Sequence, residues 1–109
     1  VRGIRGMSGG NVGYAGTKAA VELITKSLAL EWAEMGIRVN ALAPALIITP
    51  GTKHIMENPE LAKKRAEAIP LKRLGMPDDM MAACVFLAGP GASFVTGQTI
   101  FVDGGSTAG

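Results

Sequence analysis

The sequence predicts an α/β fold with a parallel sheet, because four segments of alternating character follow one another. Two short apolar stretches, 37–42 and 98–102, have the composition of strands, and each follows a longer stretch of helical character, 15–35 and 77–87. Helices between strands are typical of parallel sheets, since the helix returns the chain to the edge where it began. Two strands are too few to bury both faces of such a sheet, so we expect the remaining strands to lie outside these 109 residues.

A glycine-rich loop over residues 1–13 precedes a long helix, predicted from Ala15 to about Met35. Gly36 follows where a left-handed cap residue belongs. The apolar positions of this helix cover more than the arc of about 100° that a surface helix shows. They are Ala19, Ala20, Val21, Leu23, Ile24, Leu28, Ala29, Leu30, Trp32 and Ala33. We expect one face against the sheet and another against a partner subunit, although burial inside a monomer would explain the same pattern.

Prolines and charges divide the middle of the chain. The strand 37–42 is stopped by Pro44, and the stretch 48–70 is interpreted as a loop with one or two short helices, one of them near 60–68. Pro77 opens the next helix, because proline suits a first helical turn and two aspartates beside it complement the helix dipole. Two glycines, 104 and 105, end the last strand.

Composition indicates a compact protein of the cytoplasm. Hydrophobic residues make up 48% of the chain and charged residues 18%, which is too apolar for a disordered segment and too charged for a membrane span. The net charge of +2 is small and its lysines and arginines are scattered, so neither nucleic acid nor a membrane is an expected partner. The single cysteine, Cys84, lies in an apolar stretch and is expected to be a buried, inert thiol. No metal site is predicted.

Tyr14 and Lys18 are the candidate catalytic residues. Residues four apart lie on one face of a helix, about one turn from each other. An ammonium beside a phenol favours the ionised phenol, so a tyrosine supported by a lysine can take a proton from an alcohol or give one to a carbonyl. A tyrosine near a helix start with a solvated lysine has the same local pattern, which does not decide between the two.

A set of short segments extends this pattern along the chain. They are Tyr14-x-x-x-Lys18 and the segments 28–31, 36–44, 73–78, 86–88, 92–98 and 102–105. In this order and spacing they make the chain resemble the carboxy-terminal half of a short-chain dehydrogenase/reductase, closest to 3-oxoacyl-carrier-protein reductases and sugar-acid dehydrogenases. The resemblance implies the carboxy-terminal part of a doubly wound, Rossmann-type parallel sheet. It also implies hydride transfer between a nicotinamide cofactor, NAD or NADP, and a small alcohol or ketone.

The resemblance assigns roles to the matching residues. Tyr14 would be the general acid/base, and Lys18 would support it and bind the nicotinamide ribose hydroxyls. The turn 44–49 would wrap the nicotinamide, with backbone groups of Ile47 on the carboxamide and Thr49 on the carboxamide or the diphosphate. The implied cofactor-binding residues are Tyr14, Lys18, Pro44, Ala45, Ile47 and Thr49.

Two features of the likeness bear on ligand fit. The family usually has glycine in place of Ala45, and a methyl group there is costly only if the backbone angle φ is positive. The segment 50–70 matches the mobile substrate lid of the family, where Lys53, His54 and Met56 could touch a substrate. For His54 a plain surface position is favoured over a ligand role.

The resemblance also implies parts that this sequence does not contain. The catalytic serine of the family would lie just before Val1, and Ser8 is too close to Tyr14 to replace it. The glycine-rich dinucleotide fingerprint is absent as well. Residues 1–109 are therefore expected to be the carboxy-terminal part of a single domain, inactive alone, from a homo-oligomer (dimer or tetramer). The alternative is a non-catalytic interaction module, derived from the same family, that associates with full-length subunits.

Overall fold

The computed structural model describes residue 9 and residues 11–108, and helices alternate with strands as predicted. The elements are α1 (Val12–Trp32), β1 (Ala41–Pro44), α2 (Lys53–Met56), α3 (Pro59–Glu67), α4 (Pro77–Ala88) and β2 (Thr99–Val102). Short 3-10 turns lie at Ala33–Met35, Pro50–Thr52 and Pro90–Ala92. Ser8 and much of the predicted loop 1–13 lie outside the described residues, and residues 12 and 13 of that loop belong to α1.

The two strands pair in parallel, as the sequence predicted. Ala41 lies opposite Thr99, and Pro44 lies opposite Val102. Proline is tolerated at this last position of β1, since the end of a strand is one of the places where a missing N–H disturbs the ladder least. The carboxyl ends of both strands meet at one edge, which is where ligands bind in open parallel sheets.

The predicted strand 37–42 is wrong at its start, because residues 37–40 are not part of β1. The Val39 N–H donates to the Thr96 hydroxyl at 3.1 Å, and the Asn40 side-chain amide donates to the Val95 carbonyl at 2.8 Å. The side chains of Thr96 and Asn40 therefore bond to backbone groups that would pair with the neighbouring strand in a regular ladder. Regular pairing begins only where backbone groups face each other.

α1 buries only a narrow stripe, formed by Thr25 and Ala29. Large side chains outside this stripe are exposed, with Leu23 at 66% and Leu30 at 81%. The expected pair of buried faces is therefore not formed within the described chain, because a two-stranded sheet gives the helix little to pack against. The predicted left-handed cap is confirmed, since Gly36 has a φ of 73°, but α1 itself ends at Trp32 and the residues before Gly36 form the 3-10 turn Ala33–Met35. None of the helices in the described part of the chain is long and apolar enough to cross a bilayer.

Arg38 ties the end of α4 to the segment that leads into β1. Its guanidinium donates to the Leu87 carbonyl at 2.7 Å, to the Gly89 carbonyl at 3.3 Å and to the Ala88 carbonyl at 3.4 Å. The last carbonyls of a helix have no partner within the helix and carry partial negative charge. A single cation therefore satisfies several of them and holds α4 beside the sheet.

Cys84 is exposed, so the expectation of a buried thiol is wrong. The less exposed apolar residues of α4 are Met80, Ala83 and Leu87, which recur at helical spacing and mark the inner side of the helix. Cys84 follows Ala83 directly and is rotated by about 100° from it around the helix axis. The apolar composition of this helix did not distinguish its inner side from its outer side.

Candidate active site

Tyr14 and Lys18 face the same side of the first turns of α1. The Lys18 Nζ lies over the Tyr14 ring, 5.3 Å from the ring centroid. This is within the distance at which an ammonium is attracted to the face of an aromatic ring. Tyr14 is 48% exposed, so its ring is open to a molecule in the adjacent cleft. The predicted pairing of these residues through the helical repeat is confirmed, whereas their catalytic role stays a prediction.

The turn 44–49 leaves the carboxyl end of β1 and crosses the edge of the sheet. The Ala45 N–H donates to the Val102 carbonyl at 3.4 Å, which keeps the start of the turn beside β2. Ala45 does not have a positive φ; among the described residues that are not glycine, Lys72 is the one that does, with 57°. The alanine that replaces the usual glycine of the family therefore causes no backbone strain here.

A second chain segment braces the turn from behind. Ile47 and Gly75 form an isolated parallel bridge, in which the Gly75 N–H donates to the Leu46 carbonyl at 3.0 Å and the Ile48 N–H donates to the Gly75 carbonyl at 2.9 Å. A Cβ on Gly75 would collide with the Ile47 side chain. A side chain at position 75 would therefore require the end of the Ile47 side chain to move, which glycine avoids.

Thr52 fixes the far end of the turn, and the sequence analysis did not single it out. Its hydroxyl accepts from the Thr49 N–H at 2.8 Å and donates to the Ile47 carbonyl at 2.8 Å. The sequence signal that could have found it is the short spacing Thr-Pro-Gly-Thr, since a hydroxyl three residues after a turn start often bonds back to the backbone.

All six predicted site residues lie on the wall of one cleft of about 810 Å³. Tyr14 and Lys18 come from α1, and Pro44, Ala45, Ile47 and Thr49 come from the turn after β1. α1 and the turn thus line one cleft together with residues of β1 and β2. The segment predicted as a lid contributes further lining residues, which include His54, Ile55 and Arg65.

The lid segment is attached to the sheet at its carboxyl end. Ile69 is buried, and it lies so close to Gly104 that a Cβ there would approach its Cγ2 to 2.6 Å. The Leu71 N–H donates to the Gly104 carbonyl at 3.1 Å. His54 is exposed and also lines the cleft, so the surface position favoured for it and contact with a ligand are compatible.

An ion pair between Arg73 and Asp79 stabilises the first turn of α4. The Arg73 guanidinium donates to both carboxylate oxygens of Asp79 at 2.7 Å, and the Met76 N–H donates to one of them at 2.7 Å. The hydrogen bonds from Arg73 and then from Met76 hold the pKa of the Asp79 carboxyl well below its ordinary value of 3.8. The carboxylate therefore stays ionised below the pH at which an ordinary aspartate is protonated, and it caps the helix.

The chain matches a known family over nearly its whole length. The family model described as Enoyl-(Acyl carrier protein) reductase matches residues 1–107. 3beta-hydroxysteroid dehydrogenase 1 of Eggerthella lenta is 48% identical over 94 residues, which is 86% of this chain and 36% of the relative. The chain belongs to the short-chain dehydrogenase/reductase family. Galactitol 2-dehydrogenase (L-tagatose-forming) of Cereibacter sphaeroides is 47% identical over 94 residues, covering 86% of this chain and 37% of the relative.

Solved structures of short-chain dehydrogenases show the same architecture. A gluconate 5-dehydrogenase from Burkholderia cenocepacia, in complex with NADP and tartrate, matches with a TM-score of 0.89 at 33% identity, over 99% of this chain and 42% of that chain. The predicted fold class is confirmed: the chain is α/β and corresponds to part of a Rossmann-type parallel sheet. It spans a little over a third of the length of the curated relatives it matches.

Proposed function

We propose that this chain is the carboxy-terminal part of a single-domain oxidoreductase that transfers hydride between NAD or NADP and a small alcohol or ketone. The observation that carries the proposal is the meeting of Tyr14, Lys18 and the turn 44–49 in one cleft. Relatives named for a steroid, a sugar alcohol and a sugar acid support the reaction class and leave the substrate open. The amino-terminal half of the domain would supply the remaining strands and the dinucleotide site.

Tyr14 is proposed to exchange the proton. Its exposed phenol lies at the start of α1, where a substrate oxygen in the cleft could reach it. In reduction the phenol gives a proton to the substrate oxygen, and in oxidation the phenolate removes it. The Lys18 ammonium, 5.3 Å from the ring centroid, stabilises negative charge on the phenol oxygen during this exchange.

The backbone of the turn fits a nicotinamide carboxamide. Within the described residues the Ile47 N–H donates to no acceptor. The Leu46 carbonyl and the Ile48 N–H on either side of it are both hydrogen-bonded to Gly75. A donor on a cleft wall without a partner is suited to an amide oxygen. Ile47 and Thr49 would hold the carboxamide end, and the nicotinamide would supply or accept the hydride.

The proposal is tested with the full-length protein that contains this chain. Tyr14→Phe keeps the ring and removes the proton, so kcat for reduction of ketones is expected to fall by about 100-fold or more. Lys18→Met should lower kcat as well, whereas Lys26→Met, on the same helix and paired with Glu22 at 3.5 Å, should not. Turnover is followed by the absorbance of the reduced cofactor. A Tyr14→Phe enzyme as active as the wild type would falsify the role of the tyrosine.

The isolated chain is proposed to be inactive, because the residues needed for the diphosphate and adenine are not among its motifs. Turnover by the purified 109-residue chain well above the rate without protein would contradict this.

The exposed apolar side chains of α1 favour the second candidate function, an interaction module that docks onto full-length subunits. The module is supported if the isolated chain co-purifies with the full-length protein and if Tyr14→Phe in the isolated chain leaves this association unchanged.

The full-length protein is also proposed to form a homo-oligomer. The side chains of Val12, Leu23 and Leu30 on α1 are more than half exposed, which is unusual for large apolar groups clustered on one helix. A subunit packed against α1 would cover them. Leu30→Glu is expected to shift the sedimentation velocity of the full-length protein towards a smaller species, whereas Lys64→Glu, on α3, should not.

A further inference from the structure

The cleft contains a cationic side chain to which the proposed reaction gives no role. We propose that Arg65 determines substrate specificity by binding a carboxylate at the end of the substrate remote from the reacting carbon. The inference rests on the proposed function for the chemistry at Tyr14, and it adds the chemical class of the substrate, a hydroxy acid or keto acid. Arg65 lines the same cleft as Tyr14 and Lys18, and it comes from α3 in the segment that resembles a substrate lid rather than from α1.

Local sequence puts Arg65 in the last turn of α3. Asn58 caps this helix, with its side-chain oxygen accepting from the Leu61 N–H at 3.1 Å, and Pro59 occupies the first turn. The helix is followed by Ile69, which is buried against Gly104 at the end of β2. Arg65 thus lies about one turn before the point where this segment is fixed to the sheet, so its backbone is held beside the cleft.

The charge of Arg65 is not compensated within its own helix. Side chains three and four residues apart are neighbours on a helix surface. Lys63 and Lys64 each have Glu60 and Glu67 at these spacings, and neither lysine lines the cleft. The corresponding neighbours of Arg65 are apolar: Leu61, Ala62, Ala68 and Ile69. Among the described residues no side chain or carbonyl accepts a hydrogen bond from its guanidinium.

The described lining of the cleft offers Arg65 no unpaired carboxylate. Its described lining holds two permanent cations, Lys18 and Arg65, and one carboxylate, Glu22. Glu22 already pairs with Lys26 at 3.5 Å. The remaining walls are largely apolar. Arg65 itself is exposed, so solvent weakens its attraction for an anion without removing it. An anionic ligand is therefore favoured here over a neutral one of the same shape.

A guanidinium presents a planar pair of donors that matches two oxygens of a carboxylate or a phosphate. Two sources of such oxygens exist in the proposed reaction, the substrate and the cofactor diphosphate. The turn 44–49, which would hold the cofactor, follows β1, whereas Arg65 belongs to α3 in the segment that resembles a substrate lid. The placement favours the substrate, and the experiment separates the two sources.

The test compares matched neutral and acidic probes in the full-length protein with bound cofactor. D-Gluconate and D-glucitol differ in one terminal group, a carboxylate against a hydroxymethyl, and L-tartrate and L-threitol form a second pair. Binding is measured by calorimetry, and kcat/KM is measured where a probe turns over. We expect the wild type to prefer the acid in at least one pair, and Arg65→Gln to reduce this preference by about tenfold. Added salt should weaken binding of the acid to the wild type and have little effect in the variant.

Lys64→Gln is the matched control, since it removes the same charge from the next residue of α3 and lies outside the cleft lining. It should keep the acid preference of the wild type. The inference is overturned if the wild type prefers neither acid, if Arg65→Gln retains the preference, or if Lys64→Gln loses it equally. It is also overturned if Arg65→Gln weakens cofactor binding instead, which would assign the guanidinium to the diphosphate. The proposed reaction is tested separately. It would be wrong if Tyr14→Phe were fully active while the wild type still preferred the acid.

Discussion

Thr52→Val is expected to weaken binding of the nicotinamide cofactor, because the Thr52 hydroxyl holds the turn 44–49 in shape. The hydroxyl accepts from the Thr49 N–H and donates to the Ile47 carbonyl, each at 2.8 Å. Valine has the same shape and neither hydrogen-bonding group. The substitution therefore releases both ends of the proposed carboxamide site without opening a cavity.

The size of the effect follows from these two contacts. A neutral hydrogen bond stabilises a folded arrangement by about 0.5–1.5 kcal/mol. Thr49 is exposed and Thr52 half-buried, so water replaces part of what is lost and the sum lies near the lower half of the range, at about 1–2 kcal/mol. If the cofactor binds only the ordered turn, its Kd rises by about 5-fold to 30-fold, since about 1.4 kcal/mol corresponds to a factor of ten.

The assay is a titration of the full-length protein with reduced cofactor, followed by its fluorescence. Thr52→Ser keeps the hydroxyl and should bind nearly as the wild type does. Thr96→Val removes a hydroxyl that accepts from the Val39 N–H, away from the cleft, and should leave cofactor affinity unchanged. A change of less than about twofold in Kd for a folded Thr52→Val protein would refute the assigned role of the turn.

Three further substitutions test other parts of the structure. Arg38→Met removes the donor to the last carbonyls of α4 and is expected to lower the free energy of unfolding by about 2–3 kcal/mol, measured by urea denaturation. Gly75→Ala forces the Ile47 side chain to move and should raise the Kd of the cofactor, measured by the same titration. Asp79→Asn removes a carboxylate whose pKa Arg73 holds below 3.8, so its stabilising effect is complete above that pH and is lost as the pH falls through the depressed value. The difference in Tm between the wild type and Asp79→Asn should therefore be largest at neutral pH and shrink in acid.

Two of these substitutions have a comparison variant in the same chain, and the third has an outcome that would contradict it. Arg38→Lys should recover part of the loss, since an ammonium reaches fewer carbonyls than a guanidinium. Gly91→Ala meets only ordinary contact distances and should leave cofactor binding unchanged. A Tm difference for Asp79→Asn that stays constant from neutral pH into acid would contradict the depressed pKa.

Local interactions made part of the site predictable from the sequence. Tyr14 and Lys18 lie together because of the helical repeat alone, and Gly36 caps the 3-10 turn after α1 because glycine has no Cβ to oppose a positive φ. Prolines 59 and 77 mark the starts of α3 and α4, since the proline ring suits a first turn. These features depend on neighbours within about one helical turn, and a sequence displays such neighbours directly.

The tertiary structure alone decided what lies opposite these residues. Arg65 and Tyr14 line one cleft although they are 51 positions apart in the chain, and Ile47 pairs with Gly75 rather than with any neighbour in sequence. The exposure of Cys84 likewise depends on which side of α4 meets the sheet. Such outcomes depend on how distant segments pack and on which backbone groups find partners, because the free energy that selects them belongs to the whole fold and to no single segment.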